Sequence, residues 1–185
     1  MDYKTYSKCW KDFNRRLTSS TAFAEYLNAH PLLNPVQTAL FIGPGDCKAE
    51  GMILKGEIGA TLKRLWMVEP NEELNEIGLN TASSLRPNLE IYNHNLKIQD
   101  YEHKGPKLDL ILSIHSLYYF NQDLVEILEK MKQWIRDAGT VLFVIDDGTY
   151  RKQFREALDD YERRKKRDGE EMKRDEKDEK RMKDL

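Results

Sequence analysis

The stretch Leu40-Phe41-Ile42-Gly43-Pro44-Gly45-Asp46, followed about two dozen residues later by Trp66-Met67-Val68-Glu69-Pro70, constrains this chain most. The first reads as an apolar strand running into a tight turn, where Gly lets the backbone approach a ligand. The second reads as an apolar strand ending in a carboxylate that can accept hydrogen bonds from ribose hydroxyls. In a parallel α/β sheet this pairing makes a nucleotide-type pocket.

The flanking pattern supports such a sheet. Strands are expected over 38–42, 65–69, 89–92, 108–114 and 140–145, the last following a stop at Gly139. Helices are expected over 48–58, over 72–85 behind an Asn71 cap, and over 122–136. The first, fourth and fifth strands are near-continuous apolar runs, as in strands buried on both faces. Strands alternating with helices mean βαβ units. The expected fold is therefore α/β, a Rossmann-like doubly wound sheet of about five parallel strands in the order 3-2-1-4-5. Ahead of it, Tyr3, Tyr6, Trp10, Phe13 and Leu17 fall at helical spacing, and a second helix is expected over 22–28, before Pro31. Tyr150, Phe154 and Leu158 could place one more helix on the sheet. Beyond Tyr161 almost every residue is charged, which suits a solvated helix or a disordered tail. The chain divides into a domain over 1–160 and a tail over 161–185.

Bulk properties remove several classes of partner. A formal net charge of −2 gives no reason to expect nucleic acid or an anionic membrane. Cys9 and Cys47 fit neither a disulfide framework nor a metal site, and His30, His94 and His103 lack ligand partners at metal spacing, so no metal is expected. No apolar run reaches membrane-spanning length and the N-terminus carries no signal-peptide core, which points to a cytoplasmic protein. An exposed last strand would be a pairing liability, so either a homodimer partner or the helix over 150–158 is expected to cover it.

The turn narrows the nucleotide. A dinucleotide fold wants G-x-G-x-x-G, but the third position is Lys48, and the Gly-Lys-Ser/Thr of a P-loop is absent. An NAD-type oxidoreductase is disfavoured accordingly. A G-x-G turn with an acid ending the second strand is the shape of class I S-adenosylmethionine (SAM) methyltransferases. The fourth strand ends Ile114-His115-Ser116-Leu117-Tyr118-Tyr119, without the Asn/Asp-Pro-Pro-aromatic box common in enzymes that methylate nucleic-acid amines.

Val68-Glu69-Pro70, the segment Ile114 to Tyr119, the aromatic N-terminal helix ending near Ser20-Thr21, and His94 to Tyr101 together resemble the histamine N-methyltransferases, over roughly residues 3–146. The resemblance implies SAM as cofactor, a small-molecule acceptor, N-terminal helices over the active site, and Tyr118 and Tyr119 lining a pocket for a small amine. The chain departs from that family at Ala22, where a glutamate would follow the Ser-Thr pair, and at His115, where the family has Gln. The family's sheet also continues past the fifth strand, where this chain has its charged tail.

The candidate cofactor residues are Gly43, Gly45, Asp46, Glu69 and Ile114. Asp46 could serve only as a helix N-cap. Ile114 is core by type, but the strand end would let it pack against adenine. The candidate catalytic residues are His115, whose imidazole can take a proton near neutral pH, with Tyr118 and Tyr119, one of which is expected in the core. Two functions follow: SAM-dependent N-methylation of a small, histamine-like amine, or a non-catalytic relative that binds SAM or serves as an interaction module.

Overall fold

Thr38–Ile42, a run without a charged side chain, forms the central strand β1, and all five of its residues are buried. The structure is a computed structural model that describes residues 35–120, 123–145 and 163. The expected helices before Pro31, the one over 150–158 and, apart from Arg163, the charged tail lie outside the described residues. Around β1 stand β2 (Arg64–Val68), β3 (Glu90–His94), β4 (Leu108–Ile114) and β5 (Ile135–Val144). All are parallel, in the order β3-β2-β1-β4-β5. This is the expected Rossmann-like topology, with its switch point between β1 and β4.

Alternation along the strands feeds two cores, because successive side chains point to opposite faces. On one face Ala39, Phe41, Leu65, Met67, Leu110 and Leu112 pack with residues of α1 (Lys48–Lys55), α2 (Glu57–Thr61) and α3 (Glu72–Leu85). On the other, Leu40, Ile42, Trp66, Val68 and Ile111 pack with Ile127, Met131 and Trp134 of α4 (Leu124–Trp134). Each fully buried Leu, Ile or Phe contributes about 1.5–3 kcal/mol, so the centre of the sheet can hold strain at its edges.

Two boundaries differ from expectation for local reasons. The helix expected over 48–58 is two helices, because Gly56 adopts an extended conformation (φ −87°, ψ −167°) and donates to the Ile53 carbonyl at 3.1 Å. Gly139 does not precede β5 but lies inside it. Leu108 pairs with Ile135 and Leu110 with Thr140, so residues 136–139 bulge from the ladder. Arg136 Nε meets Asp109 at 2.6 Å in that bulge. The polar Arg136-Asp137 pair breaks the apolar run and so reads from sequence as a helix end. Elsewhere β1, β4 and α3 match their expected bounds, and Asn71 Oδ1 caps α3 by accepting from the Leu74 N–H at 2.8 Å.

Candidate functional site at the strand ends

The carboxyl ends of β1, β2 and β4 meet beside the switch point, where open α/β sheets bind ligands. Gly43 leaves β1 with φ +62° and donates to the Val68 carbonyl at 2.8 Å. A Cβ there would lie 2.5 Å from the Ser116 Cβ, so only glycine lets the first turn approach the end of β4. Ser116 Oγ donates to the Ile42 carbonyl at 2.6 Å and lies 2.7 Å from Ser113 Oγ, which ties β4 to β1 at this point. Gly45 follows at φ +54°, and Cys47, capping α1, takes φ +58°. A Cβ on Gly78 of α3 would sit 2.5 Å from the Gly45 carbonyl oxygen, so that glycine seats the turn against α3.

Glu69 closes the turn. Its Oε2 accepts from the Gly45 N–H at 3.0 Å and its Oε1 from the Asn71 N–H at 2.9 Å. Each oxygen keeps an acceptor position that a ribose diol can use. The side chain is nearly buried, and burial pushes its pKa up while the two N–H donors pull it down. The strand end is held from behind: the buried Asn75 Nδ2 donates to the Glu69 carbonyl at 3.3 Å and to the His94 carbonyl at 3.1 Å, and Asn95 Nδ2 to Glu69 at 3.0 Å.

The other candidates divide. Asp46 Oδ1 accepts from the Lys48 N–H at 3.3 Å and Oδ2 meets Lys48 Nζ at 2.6 Å, which makes it a turn-capping residue beside the pocket. Ile114 packs in the core cluster on the α1–α3 face, as its type suggests. His115 adopts φ +52°, a left-handed conformation costing a non-glycine residue about 1–2 kcal/mol. Its N–H continues the ladder to the Val144 carbonyl at 2.8 Å, and Nδ1 lies 3.2 Å from the Tyr118 hydroxyl. Neither tyrosine is in the core. Tyr118 is half-buried and Tyr119 is 55% exposed, while Leu117 and Phe120, one turn of 3-10 helix apart, take the buried positions. Among the described residues no group of His, Cys, Asp or Glu is arranged to hold a metal ion.

One buried carboxyl near the turn is missing from the sequence reading. Glu50, in the first turn of α1, is 3% exposed and is influenced electrostatically by Asp46 and Glu69. The signal was present: Glu50, Ile53 and Leu54 fall at i, i+3 and i+4, which puts a carboxylate on the buried stripe directly behind the G-x-G turn.

By sequence, no family model and no curated protein matches this chain. Solved structures do match in fold. The plantazolicin methyltransferase BpumL, solved with a triazolic desmethylPZN analog and SAH, superposes with a TM-score of 0.59 at 17% identity. That match covers 74% of this chain and 51% of BpumL, so this chain spans about half its length. An S-adenosylmethionine-dependent methyltransferase from Clostridium acetobutylicum gives 0.58 at 16% identity, covering 76% of this chain and 56% of its own. Precorrin 8W decarboxylase from Methanobacterium thermoautotrophicum gives 0.52 at 18% identity, covering 70% and 66%. The fold is the Rossmann-like fold of SAM-dependent methyltransferases.

Proposed function

We propose that the crevice between Gly43, Glu69 and His115 binds S-adenosylmethionine and that the chain transfers its methyl group to the nitrogen of a small, histamine-like amine. The carrying observation is Glu69, held by the Gly45 and Asn71 N–H groups at a G-x-G turn with an acceptor position left on each oxygen. That arrangement suits a ribose diol, and the left-handed turn at Gly43 and Gly45 suits close approach of a ligand to the backbone.

Bound there, S-adenosylmethionine supplies a methyl group already activated by its sulfonium. The protein's part is positioning and exclusion of water. Glu69 would hold the ribose hydroxyls, and the Gly43–Gly45 turn would hold the methionine end. His115 stands at the end of β4 in a conformation that the fold holds against strain, as functional positions often do. Its Nδ1 lies 3.2 Å from the Tyr118 hydroxyl, and its imidazole is the group on this strand end that would take the acceptor's proton. Tyr118 and Tyr119 offer aromatic faces to a cationic amine. A cytoplasmic setting accompanies this reading, and Cys47 carries a free, buried thiol. Among the described residues no helix is long and apolar enough to cross a membrane.

Isothermal titration of Glu69→Ala with S-adenosylhomocysteine tests the assignment. One hydrogen bond to a charged acceptor is worth about 1.5–3 kcal/mol, so affinity should fall at least about tenfold. Wild-type affinity in a folded variant would refute it.

A second reading, cofactor binding without methyl transfer, draws on Ala22 and His115, which stand where the family the chain resembles has Glu and Gln. Transfer of labelled methyl to any of a set of small amines would eliminate it. A homodimer belongs to the same proposal, since β5 stands at the sheet edge. A solution mass near twice 21.8 kDa would support it, and a monomer mass would refute it.

A further inference from the structure

One peptide unit at the carboxyl end of the sheet is gripped from both sides. It joins Ile42, the last residue of β1, to Gly43, and its N–H donates to the Val68 carbonyl of β2 at 2.8 Å. Its carbonyl, that of Ile42, accepts from the hydroxyl of Ser116, just past β4, at 2.6 Å. A peptide unit is planar and stiff, so the two bonds act on one rigid plate. Val68 adjoins Glu69 and Ser116 adjoins His115. The plate therefore stands between the carboxylate read as the ribose acceptor and the imidazole read as the base.

The grip on the β4 side involves two buried serines. Ser116 gives its one hydroxyl proton to the Ile42 carbonyl, so Ser113 Oγ, 2.7 Å away, is the donor to Ser116 Oγ. A hydroxyl that accepts while it donates is polarised and bonds more strongly. The approach is also close: a Cβ on Gly43 would lie 2.5 Å from the Ser116 Cβ and 3.0 Å from its Oγ. Between the two serines the chain passes through His115 at φ +52°, a conformation that persists only where its surroundings hold it. The His115 N–H is held by the Val144 carbonyl of β5 at 2.8 Å, and the next residue is held to β1 by the Ser116 hydroxyl.

We propose that Ser116 is a positioning residue, whose hydroxyl fixes the Ile42–Gly43 peptide and with it the placement of the glycine turn relative to His115. The inference rests on the cofactor reading of that turn. Ser116 acts through its neighbours: the turn on one side and His115 on the other. Without the hydroxyl the Ile42 carbonyl loses this donor, and the peptide keeps its grip on β2 but not this one on β4. The turn and His115 then open locally and together, at least about fivefold more often than in the wild type.

Amide hydrogen exchange of the ligand-free protein, followed residue by residue by NMR, tests this without relying on turnover. In Ser116→Ala the Gly43 and His115 amides should both exchange at least about fivefold faster, while Leu40 in the middle of β1 keeps its wild-type rate. The ring signals of His115 should shift with them, and those of His94 and His103 should not. Ser116→Cys keeps the side-chain shape but donates only weakly, so it should show the same pattern if the alanine variant does not fold. A rise shared equally by Leu40 would mean that Ser116 only stabilises the fold. A rise at one of the two amides alone would mean that the plate does not join them. Either result, or unchanged rates, would overturn the proposal. Calorimetric affinity for S-adenosylhomocysteine should fall at least about fivefold in the same variant, and wild-type affinity there would overturn it too. If the wild type itself binds no S-adenosylhomocysteine, the cofactor reading fails, a result on which the exchange pattern of the free protein does not depend.

Discussion

At Gly43 two requirements fall on one residue: a φ of +62° and a Ser116 Cβ that would stand 2.5 Å from any added Cβ. Both were foreshadowed by the G-x-G spacing, which marks a backbone that must turn sharply. Gly43→Ala should destabilise the protein by about 1–3 kcal/mol, through strain and overpacking together, and urea unfolding would measure it. Glu69 was equally legible, because an acid closing an apolar strand stands out in sequence. Glu50 was legible only in part: its spacing with Ile53 and Leu54 put it on the apolar stripe, but the depth of its burial comes from α1 packing on the sheet. Its raised pKa carries a stability consequence. The folded state holds the Glu50 proton up to about pH 8, whereas the unfolded chain releases it near 4.5. Stability from this group is therefore full below pH 4.5 and is lost as pH rises toward 8. In cofactor-free protein, Glu50→Gln should remove that loss and gain on the order of a few kcal/mol at pH 8 to 9 relative to wild type. Thermal unfolding of both proteins from pH 5 to 9 checks this, and parallel curves would contradict it.

Among the elements, α3 does most to fix the site, and much of α3 could be read beforehand. Asn71 was recognisable as its cap, and the run from Glu72 to Leu85 carried the helix to its observed end. The asparagine bracket behind it was not legible, because Asn75 of α3 is brought to Asn93 in β3 and to Asn95 just past it only when α3 packs beside that strand. There the Asn75 and Asn93 amides pair reciprocally, and Asn75 and Asn95 both hold the Glu69 carbonyl. Removing this bracket leaves buried carbonyls with fewer donors, at about 1–3 kcal/mol. Asn75→Ala should accordingly lower both stability and S-adenosylhomocysteine affinity, the second through displacement of Glu69. Thermal unfolding read together with calorimetry would detect both; unchanged affinity in a destabilised variant would show that Glu69 needs no such support. The start of β5 escaped the sequence reading for another reason. A bulge braced by Arg136 on Asp109 has no period, so the polar residues in it looked like the end of α4.

Across the whole molecule, sheet order was the most legible property, since alternating helices and apolar strands leave few ways to wind a parallel sheet. Chemistry is less legible at this scale. The sheet of this chain superposes on two methyltransferases and on a decarboxylase at 16–18% identity, so one topology serves different reactions. Titration should also be felt globally. Burial lowers the pKa of His94 and of His103, so these groups lend stability that is present above pH 6.5 and is lost as pH falls below it. His103 Nε2–H donates to the Pro106 carbonyl at 2.8 Å and Nδ1 accepts from the Tyr101 hydroxyl at 3.0 Å, a pattern that protonation of Nδ1 breaks. With Glu50 acting in the alkaline direction, cofactor-free protein should be most stable on the acid side of neutrality, and His103→Gln should flatten the acid limb of the profile in chemical denaturation. The central claim is that the strand-end crevice is an S-adenosylmethionine site. Calorimetric titration of the purified chain with S-adenosylhomocysteine, with NADH as the control ligand, tests it most directly. Micromolar binding of S-adenosylhomocysteine and none of NADH is the expected result; binding of NADH alone, or of neither, would contradict it.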